Sequence, residues 1–216
     1  DGAEGGVMDS VSESMQRLAS VLAPHANRTG SNNVTPRTHT DGWAWCHAGG
    51  LLGAVREPES AASDVRAERR DVVSKILNHP VDGRVWGVEC LRQWASTHAN
   101  ATAVCGHCKG SGESVFRCHC GHEHEHACIA CDGSGKEELD GGLTVALAGV
   151  LVQSQTLCEA LTWLHQEGVS EVRAAALTLR ANERPTLILA GGDHRVAVAH
   201  VFGHVPMVHP SAEDVL

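Results

Sequence analysis

Six of the nine cysteines in this 216-residue chain fall between positions 105 and 131, framed by a near-repeat. The first unit is Cys105-Gly-His-Cys108-Lys-Gly110-Ser-Gly112, and the second is Cys128-Ile-Ala-Cys131-Asp-Gly133-Ser-Gly135. Structural zinc takes four thiolate or imidazole ligands in a tetrahedron. A Cys-x-x-Cys pair reaches one ion from a tight turn, and the trailing glycines give the backbone the freedom that turn needs. One pair is half a site, so Cys105, Cys108, Cys128 and Cys131 together read as a four-thiolate zinc site. A disulfide framework is the competing reading. Such frameworks belong mostly to short secreted chains, and no secretory signal is visible here. Two pairs with trailing Gly-x-Gly are also unexpected for a thioredoxin-type redox motif.

Between the units runs Cys118-His119-Cys120-Gly121-His122-Glu-His124-Glu-His126. A single extended strand would set the even positions on one face. A turn near Gly121 would instead bring Cys118 and Cys120 opposite the histidines. Either geometry gives a second metal site from Cys118, Cys120 and two of His122, His124 and His126. A solvated His/Glu loop over a single zinc site is the plainer alternative. His107 and His119 are expected to face solvent, each able to substitute as a ligand.

No catalytic constellation stands out, and the chain reads as a non-enzyme. Four thiolates fill the coordination sphere, whereas catalytic zinc keeps one position open. Zinc deaminases use H-x-E followed by P-C-x-x-C. His122-Glu123-His124 is followed by Cys128-Ile-Ala-Cys131, but no Pro precedes that pair and the spacing is too short for the intervening fold. Gly191-Gly192-Asp193-His194 lacks the context of a phosphate loop and reads as a turn.

The elements that must carry this cluster follow from periodicity. Residues 8–22 form an amphipathic helix with Met8, Val11, Met15, Leu18 and Leu22 on one stripe, stopped by Pro24. That stripe is read as core, with a dimerising helix as the sharper alternative. Residues 25–40 read as a polar linker. Residues 41–56 are apolar but glycine-broken, with Trp43, Trp45, Leu51 and Leu52 expected inside. Residues 57–63 read as a small-residue loop. A helix is expected over 64–78, with Val65, Val72, Ile76 and Leu77 inward and Pro80 ending it. Another is expected over 84–98, with Trp86, Cys90, Leu91 and Trp94 on its stripe. Cys46, Cys90 and Cys158 read as small apolar core residues.

Beyond the cluster, residues 143–152 are a strand or a buried helix, and 156–166 a helix stopped at Gly168. Residues 172–179 alternate like a strand, and 186–190 and 195–201 flank a hairpin turn at Gly191-Gly192-Asp193. The sum is an α+β chain: a helical region over 1–104 with its polar loop at 25–40, an inserted zinc knuckle and β-hairpin module over 105–135, and a small strand–helix–strand–hairpin region over 136–216.

Composition narrows the partners. The hydrophobic share is 42%, there is no Tyr and there are two Phe, so five Trp supply most of the aromatic bulk. No apolar run reaches a membrane span, so no membrane partner is expected. The chain begins at Asp1 rather than Met, which leaves room for a trimmed targeting segment. The formal charge is −9, and four thiolates with one zinc ion make it more negative still. A net acidic chain gets no global steering toward nucleic acid, so DNA contact requires a local basic patch. Arg66, Arg69, Arg70 and Lys75, on one expected helix, are the candidates; an ordinary solvated helix face is the alternative.

The two framing units resemble the CxxCxGxG repeats of the DnaJ-type cysteine-rich domain, over about residues 105–135. That family carries four repeats and two zinc ions, the first repeat pairing with the last, which implies Cys105/Cys108 with Cys128/Cys131. This chain has two full repeats and one degenerate Cys-x-Cys. It lacks the His-Pro-Asp of a J-domain, the nearest run being His79-Pro80-Val81-Asp82, and it lacks a Gly/Phe-rich linker. Residues 85–99 with Cys90, leading into the first unit, are also similar in order and distance to lambdoid phage Q-type late antitermination proteins. That resemblance implies the same four zinc ligands and contacts with DNA and RNA polymerase. Two departures matter: that family is expected to be more basic, and its segment after the zinc unit is helical. The run Leu-Cys-Glu-Ala-Leu-Thr-Trp-Leu-His at 157–165 before a strand and hairpin also resembles half of a sliding-clamp domain, without a defining motif.

The expectation is therefore a zinc-stabilised transcription-regulatory or DNA-binding protein, antitermination-like, acting in the reducing cytoplasm. Its partners would be RNA polymerase or another protein, and DNA through the basic patch. A chaperone-like or adaptor module is the alternative, a zinc-dependent enzyme the third reading, and a homo-oligomer is left open.

Overall fold

The computed structural model describes residues 5–31, 34–35, 37–57, 67–180, 183–201 and 210, with the side chains of 5–9 and 67–69 not among them. In chain order the elements are α1 (Gly5–Arg28), β1 (Thr38–Thr40), β2 (Trp43–Ala48), β3 (Leu51–Arg56), α2 (Ala67–Leu77), β4 (Val85–Gly87) and α3 (Val88–Ala99). There follow β5 (Thr102–Val104), β6 (Glu113–Arg117), β7 (Glu123–Ala127), β8 (Lys136–Glu138), β9 (Thr144–Leu147) and β10 (Val150–Gln153). The chain continues through α4 (Ser154–Gln166), β11 (Glu171–Leu177), β12 (Thr186–Gly191) and β13 (His194–Val198). The α+β expectation holds. No described helix is long and apolar enough to cross a membrane.

A seven-stranded antiparallel sheet, in the order β1-β2-β3-β13-β12-β11-β4, unites strands from both ends of the chain. Alternate side chains feed two cores. Ala44, Cys46, Ala48, Leu51, Val55, Leu187, Leu189, Val196 and Val198 join the larger core, which includes Leu18 and Leu22 of α1, Leu91 and Trp94 of α3, and Leu157, Leu161 and Leu164 of α4. Trp43, Trp45, Leu52, Ala54, Ile188 and Ala197 face the other way, against Val73, Ile76 and Leu77 of α2. A sheet covered on both faces needs apolar residues at nearly every position. This is why 41–56 reads as a continuous apolar stretch and not as two alternating strands.

The turns that fold it were available in the sequence. Asp41-Gly42 and Gly49-Gly50 all have positive φ, the conformation two-residue hairpin turns require. Ala148-Gly149 does the same between β9 and β10, so residues 143–152 are a hairpin and not one strand or helix. Gly53 faces Leu18 so closely that a Cβ would collide with its side chain, which lets α1 lie against β3.

Several boundaries differ from expectation, among them the polar linker over 25–40, whose two ends belong to α1 and to β1. The first helix does not stop at Pro24 but runs to Arg28. The carbonyl that Pro24 leaves unbonded is that of exposed Ser20, while Leu22, His25 and Ala26 are buried on the other side and hold the last turn down. His25 Nδ1 lies 2.8 Å from Glu159 Oε2, and Arg28 donates to the same oxygen at 3.1 Å, tying this turn to α4. The helix expected over 84–98 begins at Val88, because Val85–Gly87 pairs with β11 as an edge strand. Cys46 packs as expected for a small apolar residue, and burial pushes its thiol up to about 11.

An ion pair joins α1 to the end of α4. Arg17 donates from Nε to Glu167 Oε1 at 2.7 Å and from Nη2 to Oε2 at 3.0 Å. The Glu167 side chain is 4% exposed, and His194 Nε2 lies 3.6 Å from its second oxygen. Burial pushes the Glu167 carboxyl up, but the hydrogen bonds and charge of Arg17, together with Ser14 and His194, outweigh it, so its pKa is lowered on folding. A depressed carboxylate stabilises above its unfolded pKa, and that stability is lost as pH falls through the folded value. Arg17→Ala is expected to cost about 1–2 kcal/mol at neutral pH, because it strands a buried carboxylate. The cost should shrink in acid as Glu167 protonates. Urea unfolding of both proteins at pH 7 and pH 3 checks this; an equal cost at both would assign the loss to packing.

Candidate metal centre

The cysteine module is inserted between α3 and β9 on a two-stranded stem. β5 pairs antiparallel with β8, Thr102 opposite Glu138 and Val104 opposite Lys136. Each repeat unit then folds into the same turn. Ser111 N–H donates to the Cys108 carbonyl at 3.1 Å, and Ser134 N–H to the Cys131 carbonyl at 2.9 Å. Gly112 N–H donates to Cys108 Sγ at 3.3 Å, and Gly135 N–H to Cys131 Sγ at 3.2 Å. Lys109 and Asp132, equivalent in the repeat, both take positive φ.

The units also lock into each other reciprocally. Cys105 N–H donates to the Gly135 carbonyl at 2.9 Å, and Cys128 N–H to the Gly112 carbonyl at 2.8 Å. A Cβ on Gly112 would run into the Gly133 carbonyl oxygen, and one on Gly135 into that of Gly110. The second glycine of each unit is therefore required by backbone contact with the other unit. The sequence repeat is a local two-fold pseudosymmetry.

At its centre the sulfurs of Cys105, Cys108, Cys128 and Cys131 all lie within 4.8 Å of one another. Cys105 and Cys128 are 3.9 Å apart, Cys108 and Cys131 3.7 Å. A tetrahedral zinc ion with bonds of ~2.3 Å requires sulfurs about 3.8 Å apart. The four residues thus fit a tetrahedral thiolate-bound ion. They form a small core of their own, Cys105, Cys128 and Cys131 buried and Cys108 partly so. Burial pushes the Cys108 thiol up, but backbone N–H donors from Gly112 and Gly110 outweigh it and bring it to about 6, toward the thiolate a metal needs. Cys105 goes the other way. Its thiol donates to Glu137 Oε1 at 2.7 Å, which pushes it up to about 12. Glu137 carries no motif signal. It reaches the sulfur because the stem register sets it opposite Ala103, two residues before Cys105.

The His-rich middle takes the turn and not the single strand. β6 and β7 form a hairpin whose register closes at Arg117 and Glu123. Gly121, at positive φ, donates to the Cys118 carbonyl at 2.9 Å. Cys118 Sγ, Cys120 Sγ and a His124 nitrogen lie within 4.8 Å of one another, and Cys118 and Cys120 are joined as a disulfide. His122 Nδ1 is 3.3 Å from Cys120 Sγ. Neither His122 nor His126 is brought into the group; His126 sits opposite Ser114, its ring stacked on His124 at 6.4 Å. His107 and His119 are exposed.

Of the basic residues, Arg66 lies outside the described residues, and Arg69 lies in α2 with its side chain outside them. Arg70 and Lys75 are exposed on α2.

No protein-family model matches this chain, and no curated protein matches it. Among solved structures, the chain is similar to the DNA polymerase sliding clamp from Pseudomonas aeruginosa, at 14% identity and a TM-score of 0.30. The match covers 74% of this chain and 42% of the clamp, so the chain spans less than half of the clamp's length.

Cys131→Ser is expected to abolish metal binding at the four-sulfur centre, and Gly135→Ala to weaken it by forcing the units apart, both leaving the seven-stranded sheet intact. Metal content with hydrogen exchange of residues 105–135 checks this; full zinc retention in Cys131→Ser would remove it as a ligand. Metal uptake requires Cys105 to lose its proton. Removing the raising carboxylate in Glu137→Gln should therefore move the midpoint of zinc uptake to lower pH, read by competition with a chelator across pH.

Proposed function

We propose that this protein is a protein-interaction module in which a four-thiolate zinc ion fixes an exposed β-hairpin as the binding element. One observation carries the reading. Of the large hydrophobic side chains exposed among the described residues, only Val85 lies on the sheet; Val104, Val115, Phe116 and Ile129 all lie on or beside the cysteine module, Ile129 being 95% exposed. Among the other described residues, the large apolar side chains lie buried or half-buried. Apolar side chains gathered on a small solvated module mark a docking surface.

The hairpin supports this in a second way. Among the described strands β6 and β7 pair only with each other, so their outer edges can accept an added strand. Exposed Glu113, Glu123 and Glu125 lie along it beside Val115 and Phe116. The chemistry suits an extended apolar segment flanked by Lys or Arg. Zinc serves as a staple: its ligands are all protein thiolates, leaving no open position for substrate. RNA polymerase, implied by the antitermination resemblance, is one protein partner to be tested. Direct DNA binding has less support, since the chain carries a net charge of −9 and the hairpin is acidic.

Phe116→Ser and Ile129→Ser should keep zinc content and melting unchanged yet weaken binding at least tenfold. The measurement is fluorescence anisotropy with extended apolar peptides bearing basic flanks, alongside RNA polymerase and duplex DNA. Salt-sensitive binding to duplex DNA that ignores both substitutions would overturn the proposal.

A further inference from the structure

The tip of the β6/β7 hairpin gathers a second set of metal donors, separate from the four-sulfur centre. The turn from Cys118 to His122 is closed by Gly121 N–H donating to the Cys118 carbonyl at 2.9 Å and Cys118 N–H donating to the His122 carbonyl at 3.0 Å. This places Cys118 and Cys120 on one side, their Cα atoms 5.3 Å apart. His122 Nδ1 sits 3.3 Å from Cys120 Sγ but not within 4.8 Å of all three other donors, so its ring must turn inward to serve as the fourth. His124, two residues further along β7 and opposite Phe116, brings a ring nitrogen within 4.8 Å of both sulfurs. Two thiolates and two neutral imidazoles are a tetrahedral zinc set, and two thiolates balance the charge of the ion.

The same two sulfurs are bonded to each other in this structure. A disulfide has no thiolate to give, so disulfide and metal are mutually exclusive occupants of one turn. Access also separates this pair from the four-sulfur centre. Cys120 is exposed and Cys118 half-buried, whereas Cys105, Cys128 and Cys131 are buried.

We propose that Cys118, Cys120, His122 and His124 form a second, redox-gated zinc site. In the reduced chain they hold Zn2+. A low-molecular-weight disulfide such as oxidised glutathione then converts the site. One cysteine thiolate attacks the reagent, forms a mixed disulfide and expels one thiolate. The other cysteine thiolate attacks that mixed disulfide, closes the Cys118–Cys120 bond and expels the second. Two cysteine thiolates are oxidised, one reagent disulfide is reduced to two thiolates, and Zn2+ leaves with its charge balanced by them. The four-sulfur centre keeps its ion throughout, so the hairpin stays anchored while its tip changes state.

The test uses the full chain, reduced and loaded with excess zinc, then desalted. Two zinc ions per chain are expected. Oxidised glutathione should release one, with a mass loss of two hydrogens relative to the metal-free reduced chain and a peptide map joining Cys118 to Cys120. Cys118→Ser, Cys120→Ser and His124→Ala should each hold one ion and release none on oxidation. His126→Ala should still hold two. Cys131→Ser separates the sites, since it should lose the other ion while the tip still loads and releases one. A reduced chain that binds a single ion with Cys118 and Cys120 freely alkylated would overturn the proposal. So would two ions retained in Cys120→Ser, or loss of the second ion in His126→Ala but not in His124→Ala.

Discussion

Pairing of β3 with β13 joins residues 51–55 to residues 194–198 at the centre of the sheet, and everything else is arranged around that junction. Val196 lies opposite Gly53, where the missing side chain admits Leu18 of α1. One strand pair therefore connects both ends of the chain, sets the alternation that feeds two cores, and seats the first helix. Such long-range closure carries an entropy cost that local contacts do not. It is offset by burial on both faces, with Leu51, Leu187 and Val198 almost wholly removed from water.

The cysteine module works on the opposite principle. Its contacts are local, its core is four sulfurs, and its hairpin exposes every residue of β7. A unit this small cannot hold itself together by apolar burial alone. The interlocked glycine carbonyls and the four clustered sulfurs, placed to hold a metal ion, replace a hydrophobic core there, and Phe116 and Ile129 remain outside. The sheet buries its apolar residues, while the module leaves its own facing water.

The module was the most legible part of the sequence, because Cys-x-x-Cys and Gly-x-Gly act within a few residues of each other. α3 and α4 were legible from their stripes of Leu91 and Trp94 and of Leu157, Leu161 and Leu164, although Trp86, read onto the first stripe, belongs to β4. The strands at 43–56 were not, since a sheet buried on both faces erases the alternation that marks a strand. Asp41-Gly42 and Gly49-Gly50 held the missing information in backbone sign and not in hydrophobicity. Pro24 misled because tertiary burial of Leu22 and Ala26 outweighs one lost helical bond. Glu137 could not be read at all: its place beside Cys105 depends on the register of the stem, which no motif encodes.

The reciprocal bonds between the two repeat units, Cys105 to Gly135 and Cys128 to Gly112, have a consequence for how this chain can vary. They clamp both ends of the intervening segment independently of what lies within it. The fifteen or so residues from Gly112 to Cys128 form a cassette whose length and composition are insulated from the staple. Insertions or exchanges there would leave the remainder of the chain mechanically unaware, so new tips could be tried on an unchanged base.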